Sequence, residues 1–218
     1  MHSIKSRTNM VEQQIRPWSV SQPQVLKVLS QIEREHFVPF AYQALAYADV
    51  DIPLPQGQTL LQPMIVGRAL QALALTGTEK VLEIGTGTGY ITACLTVLAK
   101  HIVSLEIQPV LMQEADKNLR ALHSRHLTLI EENGLEGFEK EAPYEAILVT
   151  GAYPMGVPDK LKAQLSPGGR LFAFVGTAPA MRAVVITAGV NGQYTYEDLF
   201  ETVVPALIHA PQPQAFVF

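Results

Sequence analysis

Short apolar runs alternate with helix-like segments through the central part of the chain. The apolar runs, whose length is typical of strands, lie at residues 80–84, 101–106, 126–130, 146–150 and 170–175. Helix-like patterns fill the connections at 90–99, 109–122 and 159–165. Repeated alternation of strands and helices predicts a parallel sheet that is covered by helices.

The alternation stops towards the carboxyl terminus. Two strand-like runs, 183–187 and 194–204, flank Asn191-Gly192, a dipeptide typical of hairpin turns, and no helix-like pattern separates them. We therefore predict a seven-stranded, mostly parallel sheet that ends in a hairpin, with the last strand antiparallel.

The segment before residue 80 has a different pattern. Helix-like stretches surround an irregular stretch at 51–59, after which Pro63 can open a helix and Gly77 can close it. This segment is expected to lie over the carboxyl ends of the strands. We predict one domain over residues 1–218, in which 1–78 form a helical cap with the active-site loop and 79–218 form the cofactor-binding sheet.

Composition narrows the class of protein. The apolar runs of the 218-residue chain fall far short of the ~20 residues of a membrane span. Sixteen basic and twenty acidic residues are scattered without a basic stripe, so we expect neither a membrane nor a nucleic-acid partner. Cys94 is the only cysteine, which favours a reducing, cytoplasmic location and a packed apolar role for its side chain. No metal site is expected, because His123 and His126 have no accompanying ligands.

The most informative stretch is a strand that runs into three alternating glycines, Gly85, Gly87 and Gly89, and then into a helix. In a parallel sheet this first turn binds nucleotide-like ligands, because glycine lets the backbone approach and the helix start offers free N–H groups. Glu106 lies 106 − 85 = 21 residues beyond Gly85, at the predicted end of the next strand. An acid there can accept hydrogen bonds from both ribose hydroxyls, so the stretch indicates an adenosine-containing ligand.

The spacing of the glycines indicates which ligand. A dinucleotide site has the pattern G-x-G-x-x-G, whereas Tyr90 occupies the position of its third glycine here. Glu83 would stand beside a pyrophosphate in that interpretation, but beside a cationic ligand its charge is favourable. We therefore predict S-adenosylmethionine, which carries a sulfonium and an ammonium group, as the cofactor. An NAD-linked oxidoreductase is the outside alternative.

Over nearly its whole length the chain resembles the protein-L-isoaspartate O-methyltransferases. The matching pieces run in family order: Val25-Leu26, Glu33-Arg34-Glu35-His36-Phe37-Val38-Pro39, Ala46-Tyr47, Gly57-Gln58-Thr59, Gln62-Pro63, the loop 82–90, Val103-Ser104-Leu105-Glu106, 142–150, Gln164-Leu165 and Gly168-Gly169. The resemblance implies a Rossmann-like class I methyltransferase that esterifies the carboxylate of isoaspartyl residues in damaged proteins. It also implies cofactor contacts from Glu83, Gly85, Thr86, Gly87, Thr88, Gly89, Tyr90, Glu106, Ile107, Asn133, Gly134 and Thr150.

Two departures from the family pattern affect the implied site. Leu61 stands where the family has a serine beside the acceptor carboxylate, which leaves Thr59 as the hydroxyl for a polar contact, unless Thr59 caps the helix that begins at Pro63. Asn133 stands in a Gly-Asp-Gly position near the adenine, where its amide oxygen can still accept a hydrogen bond. Leu61 predicts weak methylation of isoaspartyl peptides. It leaves open a methyltransferase with another acceptor, such as a small molecule, or a non-catalytic protein that binds S-adenosylmethionine.

Overall fold

The structure is a computed structural model that describes residues 2–122 and 126–214. The prediction for His123 lies outside these residues. The amino-terminal part contains helices α1 (His2–Asn9), α2 (Pro23–Gln31) and α3 (Pro63–Ala72), and two short paired strands, β1 (Ile52–Pro53) and β2 (Thr59–Leu60). A π-helical turn and 3-10 turns connect them at Met10–Ile15, Arg16–Trp18, Arg34–Phe37, Phe40–Leu45 and Pro55–Gly57. In the described ranges, none of the helices is both long and apolar enough to span a membrane.

The remainder forms one sheet with helices in its connections. Its strands are β3 (Lys80–Ile84), β4 (His101–Glu106), β5 (Leu127–Glu131), β6 (Tyr144–Tyr153), β7 (Leu165–Thr177), β8 (Ala180–Ala188) and β9 (Tyr194–Glu201). Its helices are α4 (Tyr90–Leu98), α5 (Pro109–Arg120) and α6 (Asp159–Lys162), with a 3-10 turn at Glu139–Glu141. The strand order is β5-β4-β3-β6-β7-β8-β9, and the strands from β3 to β7 pair in parallel. The prediction of a seven-stranded, mostly parallel sheet with a carboxyl-terminal hairpin is confirmed.

One detail of strand direction was predicted wrongly. β8 runs antiparallel to both β7 and β9, so β8, and not the last strand, is the one that opposes the rest of the sheet. A second hairpin joins β7 to β8 through Ala178-Pro179, with Thr177 paired to Ala180. That dipeptide lacks the Asn-Gly signal that revealed the β8–β9 turn, so the sequence pattern did not indicate it.

Apolar side chains cover both faces of the sheet. Successive strand residues point to opposite faces, and Val81 and Leu82 accordingly join two different core clusters. The first cluster also contains apolar residues of α2, α3 and α4, and Cys94 is buried within it, as predicted. Trp18 lies outside this core, with an exposed fraction of 47%.

Candidate functional site

A cavity lies at the carboxyl ends of β3, β4 and β6. From β3 the chain continues outward to β4 and β5, and from β6 it continues in the opposite direction to β7, so the strand order reverses between β3 and β6. Such switch points are where open α/β sheets bind ligands. The cavity is lined by Leu54, Gln58, Thr59, Leu60, Leu61, Ile84, Gly85, Thr86, Gly87, Tyr90, Ile91, Leu105, Glu106, Ile107, Leu111, Glu132, Asn133, Gly134, Leu135, Thr150, Gly151, Pro205, Leu207 and Ile208. The expected proximity of residues 58–61 to the glycine loop is therefore confirmed.

The glycine loop is held by its neighbours on both sides. The backbone N–H of Gly85 donates to the Leu105 carbonyl at 2.8 Å, and the Thr150 hydroxyl donates to the Gly85 carbonyl at 2.9 Å. Gly85 has φ +91°, and a Cβ atom there would lie 2.1 Å from Thr150 Oγ1. Only glycine satisfies both the left-handed backbone and this close approach.

Glu106 ends β4 and faces the cavity beside the loop. Its Oε2 accepts from the backbone N–H of Gly87 at 2.8 Å, and its Oε1 accepts from that of Gln108 at 2.9 Å. Burial raises the pKa of this carboxyl, although the hydrogen bonds act against that rise. Each carboxylate oxygen has a further lone pair, so both can still accept from a ligand.

Glu83 takes a position that differs from the prediction. Its carboxyl group is fully buried and is absent from the cavity lining, so it does not face a bound ligand directly. Its Oε2 accepts from the hydroxyls of Thr92 and Ser104, both at 2.6 Å. The Ser104 oxygen lies 2.7 Å from Oγ1 of Thr86, which does line the cavity. Burial raises the pKa of Glu83 to about 7, so burial offsets the negative charge that was expected to favour a cation.

Thr88 and Gly89 were predicted to contact the cofactor, but the structure places them behind the cavity lining. The Thr88 carbonyl accepts from the side-chain amide of Asn118 at 3.0 Å. A Cβ on Gly89 would lie 2.9 Å from the Leu119 side chain. Asn118 and Leu119 of α5 therefore support the loop at these two residues, which the turn directs away from the ligand side.

Tyr90 begins α4, and its ring forms part of the cavity wall although the residue is fully buried. Arg34 lies over this ring, and its pKa is lowered by burial. Its Nε donates to the Ala46 carbonyl at 2.9 Å, and its Nη2 donates to the Leu61 carbonyl at 2.7 Å. In the sequence Arg34 stands out only as part of a stretch that resembles the family, because its position does not reveal its contacts with two distant loops.

Residues 58–61, which we call the acceptor segment, line the cavity, and their side chains have different environments. Thr59 is half-buried in β2, and Gln62 occupies the N-cap position of α3, so the capping interpretation of Thr59 is wrong. The Leu61 side chain lines the cavity but is only 3% exposed and belongs to the hydrophobic core.

The segment expected near the adenine, Asn133-Gly134, follows β5. Asn133 is exposed, and its Oδ1 accepts from the backbone N–H of Leu135 at 3.0 Å. Gly134 packs closely, since a Cβ there would lie 2.9 Å from Ile84 Cγ2. Asn133 and Gly134 thus line the cavity as a tight turn, together with Ile107 on the neighbouring connection.

Sequence reasoning missed the wall that the end of the chain contributes. Ala206 forms a parallel bridge with Ala152 of β6, and the Leu207 N–H donates to the Ala152 carbonyl at 2.9 Å. This bridge brings Pro205, Leu207 and Ile208 into the cavity lining. The apolar residues that follow β9 were the available signal, but their pairing with β6 is a tertiary contact.

The charged side chains of the cavity lining are both acidic. Glu106 and Glu132 line it, while no lysine, arginine or histidine appears among the described residues that do so. A separate group with possible metal-ligand geometry, Glu33, Glu35 and His36, lies on the surface. There Ser3 donates to Glu35 and Arg7 pairs with Glu33, so protein groups already partner both carboxylates.

Comparison with known proteins gives consistent similarities. A family model described as protein-L-isoaspartate(D-aspartate) O-methyltransferase matches residues 5–207. A protein-L-isoaspartate O-methyltransferase of Gloeobacter violaceus is 37% identical over 207 residues, which cover 93% of this chain and 99% of that protein. One of Trichlorobacter lovleyi is 39% identical over 193 residues, 88% of each chain.

A solved structure shows the same fold. It is a protein-L-isoaspartate O-methyltransferase beta-aspartate methyltransferase of Plasmodium falciparum in complex with S-adenosyl-L-homocysteine. The TM-score is 0.80 at 19% identity, over 92% of this chain and 97% of that one.

Proposed function

The chain belongs to the protein-L-isoaspartate(D-aspartate) O-methyltransferase family, and from that premise we propose that it uses S-adenosylmethionine to methylate the carboxylate of isoaspartyl residues in damaged proteins. The acidic cavity is the observation that most directly supports S-adenosylmethionine as the cofactor. With Glu106 and Glu132 as its charged lining, it favours a cationic ligand over one that carries a pyrophosphate. An NAD-linked reaction is therefore disfavoured.

The residues present fit S-adenosylmethionine. Gly87 has φ +59°, and the nearest atom to a Cβ built there is Leu54 Cδ1 at 3.7 Å, so its backbone lies open to the cavity. We propose that the loop residues Gly85, Thr86 and Gly87 and the strand-end acid Glu106 hold the ligand, with Tyr90, Ile107, Asn133, Gly134 and Thr150 completing its surroundings. When bound, S-adenosylmethionine supplies a methyl group on a positively charged sulfur.

The acceptor needs no strong base from the protein. A carboxyl group with a pKa of about 3.9 is already ionised at neutral pH. The described part of the cavity lining accordingly offers an apolar wall, not a histidine, and this wall includes Leu54, Leu60, Leu207 and Ile208. These side chains exclude water, which strengthens the attraction between opposite charges and fixes the position of the acceptor.

On the acceptor side we assign the polar contact to Thr59, while Leu61 packs and presents its backbone carbonyl to Arg34. The shared name of relatives at 37–42% identity favours isoaspartyl methylation over another acceptor or a binding-only role. We therefore drop the expectation of weak activity that followed from Leu61 and expect ordinary activity on isoaspartyl peptides.

An assay with paired peptides tests the proposal. The protein is incubated with S-adenosylmethionine and a peptide that contains isoaspartate, and in parallel with the same sequence containing normal aspartate. We expect the methyl ester, detected by mass spectrometry, on the isoaspartyl peptide alone. Calorimetric titrations should give binding of S-adenosylmethionine but not of NADH. Equal labelling of both peptides, or of neither, would reject the isoaspartyl assignment.

Three further parts of the proposal rest on sequence. The division of one domain into a helical cap with the active-site loop at 1–78 and a cofactor-binding sheet at 79–218 stays a prediction. So does the expectation that neither metal nor nucleic acid takes part. The cytoplasmic location stays a prediction from the lone Cys94.

A further inference from the structure

Two polar side chains, those of Glu132 and Asn133, stand at the end of the cavity that follows β5. Both residues are exposed, and both line the cavity. The Glu132 N–H donates to the Glu106 carbonyl at 3.0 Å, which fixes this end of the cavity beside the acid that is expected to hold the ribose. The base of a bound nucleoside extends from its ribose, so Glu132 and Asn133 are the polar side chains next to it in the described lining.

The amide group of Asn133 has a fixed orientation. Its Oδ1 accepts from the backbone N–H of Leu135 at 3.0 Å, and only the oxygen of an amide can accept. The amide nitrogen, which carries two protons, therefore takes the other position. The amino group of an adenine also donates, so this orientation sets donor against donor. The oxygen has one lone pair left to offer to a ligand.

The carboxylate of Glu132 has neither restriction. Its side chain forms no hydrogen bond or ion pair with the residues that the structure describes. Both of its oxygens accept, and neither carries a proton that would repel a donor. A hydrogen bond to an ionised acceptor is also about twice as strong as one between neutral groups. The comparison of strengths therefore favours Glu132 over Asn133 as the partner of a donor on the base.

We infer that Glu132 accepts a hydrogen bond from the exocyclic amino group of the adenine and so determines which purine the cavity selects. This assignment rests on S-adenosylmethionine being the cofactor of the proposed function. The family resemblance placed the adenine contact at residue 133. The hydrogen bond to Leu135 and the free carboxylate beside it move that contact to residue 132 and leave Asn133 to close the turn.

A carboxylate at this position distinguishes two purines by the direction of the hydrogen bond. Adenine presents an amino group, which donates to the carboxylate. Hypoxanthine, the deaminated base, presents a carbonyl oxygen at the same place, so an acceptor would face an acceptor. A site whose polar group is left unpaired rejects the wrong ligand, so we expect a ligand with hypoxanthine to bind at least about tenfold more weakly.

Titration calorimetry with two ligands tests the inference without any methyl transfer. The probes are S-adenosyl-L-homocysteine and S-inosyl-L-homocysteine, which differ in the base alone. The wild type should prefer the adenine ligand by about tenfold or more. Glu132→Gln should reduce that preference to about threefold or less, because a glutamine amide can turn its nitrogen towards a carbonyl.

Two control variants separate this contact from a general effect of charge and from the neighbouring amide. Glu131→Gln removes the same charge one residue away, from a side chain that does not line the cavity, and should keep the wild-type preference. Asn133→Ala removes the amide and should also keep it, because the carboxylate of Glu132 remains. All three residues are exposed, so we expect each variant to fold.

Three results would overturn the inference: equal binding of both ligands by the wild type, an unchanged preference in Glu132→Gln, or an equal loss of preference in Asn133→Ala. In each of these cases the wild type still binds S-adenosylhomocysteine, so the inference fails alone. A wild-type protein that binds neither ligand would reject the cofactor of the proposed function as well.

Discussion

The guanidinium carbon of Arg34 lies 4.8 Å from the centroid of the Tyr90 ring. Arg34 comes from the amino-terminal segment, whereas Tyr90 begins the helix that follows the glycine loop. Because the same guanidinium also donates to the Leu61 carbonyl, one buried side chain fixes the acceptor segment relative to the cofactor loop. The alignment of acceptor and cofactor therefore depends on a residue outside the cavity lining.

We predict that Arg34→Lys raises KM for an isoaspartyl peptide more than it weakens S-adenosylmethionine binding. An ammonium group cannot donate to both carbonyls and also lie flat on the Tyr90 ring, and a hydrogen bond from a charged donor contributes about 1.5–3 kcal/mol. The expected rise in KM is about tenfold or more, as that energy implies. Steady-state kinetics and calorimetry measure the two effects.

Arg68 offers a matched control for this substitution. It also lies 4.8 Å from an aromatic ring, that of Phe200, and donates to two backbone carbonyls, those of Trp18 and Leu199. Unlike Tyr90 and Leu61, which Arg34 contacts, these three residues do not line the cavity. Arg68→Lys should leave KM unchanged. Equal kinetic effects from both variants would assign Arg34 a purely structural role.

A second prediction concerns Glu106. Glu106→Gln should weaken S-adenosylmethionine binding by about 1.5–3 kcal/mol, since it removes the charge and one of the acceptor oxygens. Glu131→Gln is the control, because Glu131 pairs with Glu106 at the same level of the sheet but does not line the cavity. Titration calorimetry of both variants compares them. An unchanged affinity for Glu106→Gln would remove this acid from the cofactor site.

A third prediction separates two costs at Gly85. Gly85→Ala and Gly77→Ala both place a side chain at strongly positive φ, +91° and +97°, but only Gly85 also approaches the Thr150 hydroxyl. Both variants should lose about 1 kcal/mol or more through the backbone, and Gly85→Ala should lose more because of the collision. Denaturant unfolding gives the stabilities, and only Gly85→Ala should also lose cofactor affinity. Similar values for the two variants would show that the loop can move away from Thr150.

A fourth prediction follows from the buried carboxyl of Glu83. Its pKa rises from 4.5 in the unfolded chain to about 7 in the fold, so the folded state binds the proton more tightly. That contribution to stability is complete below pH 4.5 and is lost as the pH rises through 7. The free energy of unfolding of the wild type, relative to Glu83→Gln, should therefore fall by about 3 kcal/mol across this range. Denaturation at several pH values measures it, and a constant difference would show that burial does not raise the pKa of Glu83.

A fifth prediction replaces the original expectation for Leu61. Because this side chain is 3% exposed and packs in the core, Leu61→Ser should destabilise the protein by about 2–5 kcal/mol without increasing isoaspartyl activity. Leu61→Met, which keeps the apolar volume, should cost less than about 1.5 kcal/mol. Thermal unfolding and peptide methylation distinguish the two roles. A gain in turnover by the serine variant would mean that its hydroxyl reaches the acceptor.

The parts of the fold that the sequence predicted are those encoded locally. The strand before Gly85, the loop itself and the acid Glu106 at the next strand end can be located from residue type and spacing. The direction of β8 and the cavity wall at Leu207 could not, because both depend on which distant strand a segment pairs with. Glu83 was placed on the correct strand but given the wrong surroundings, since the partners that bury it come from α4 and β4.

The bridge between Ala152 and Ala206 determines when the site can be completed during protein synthesis. Residues 205–208 leave the ribosome after all the other lining residues, so a nascent chain that ends before Pro205 has its glycine loop but not this wall. The methyl-transfer pocket of such a chain would remain open to water. The site can therefore be closed only after the sheet that supports it has been synthesised.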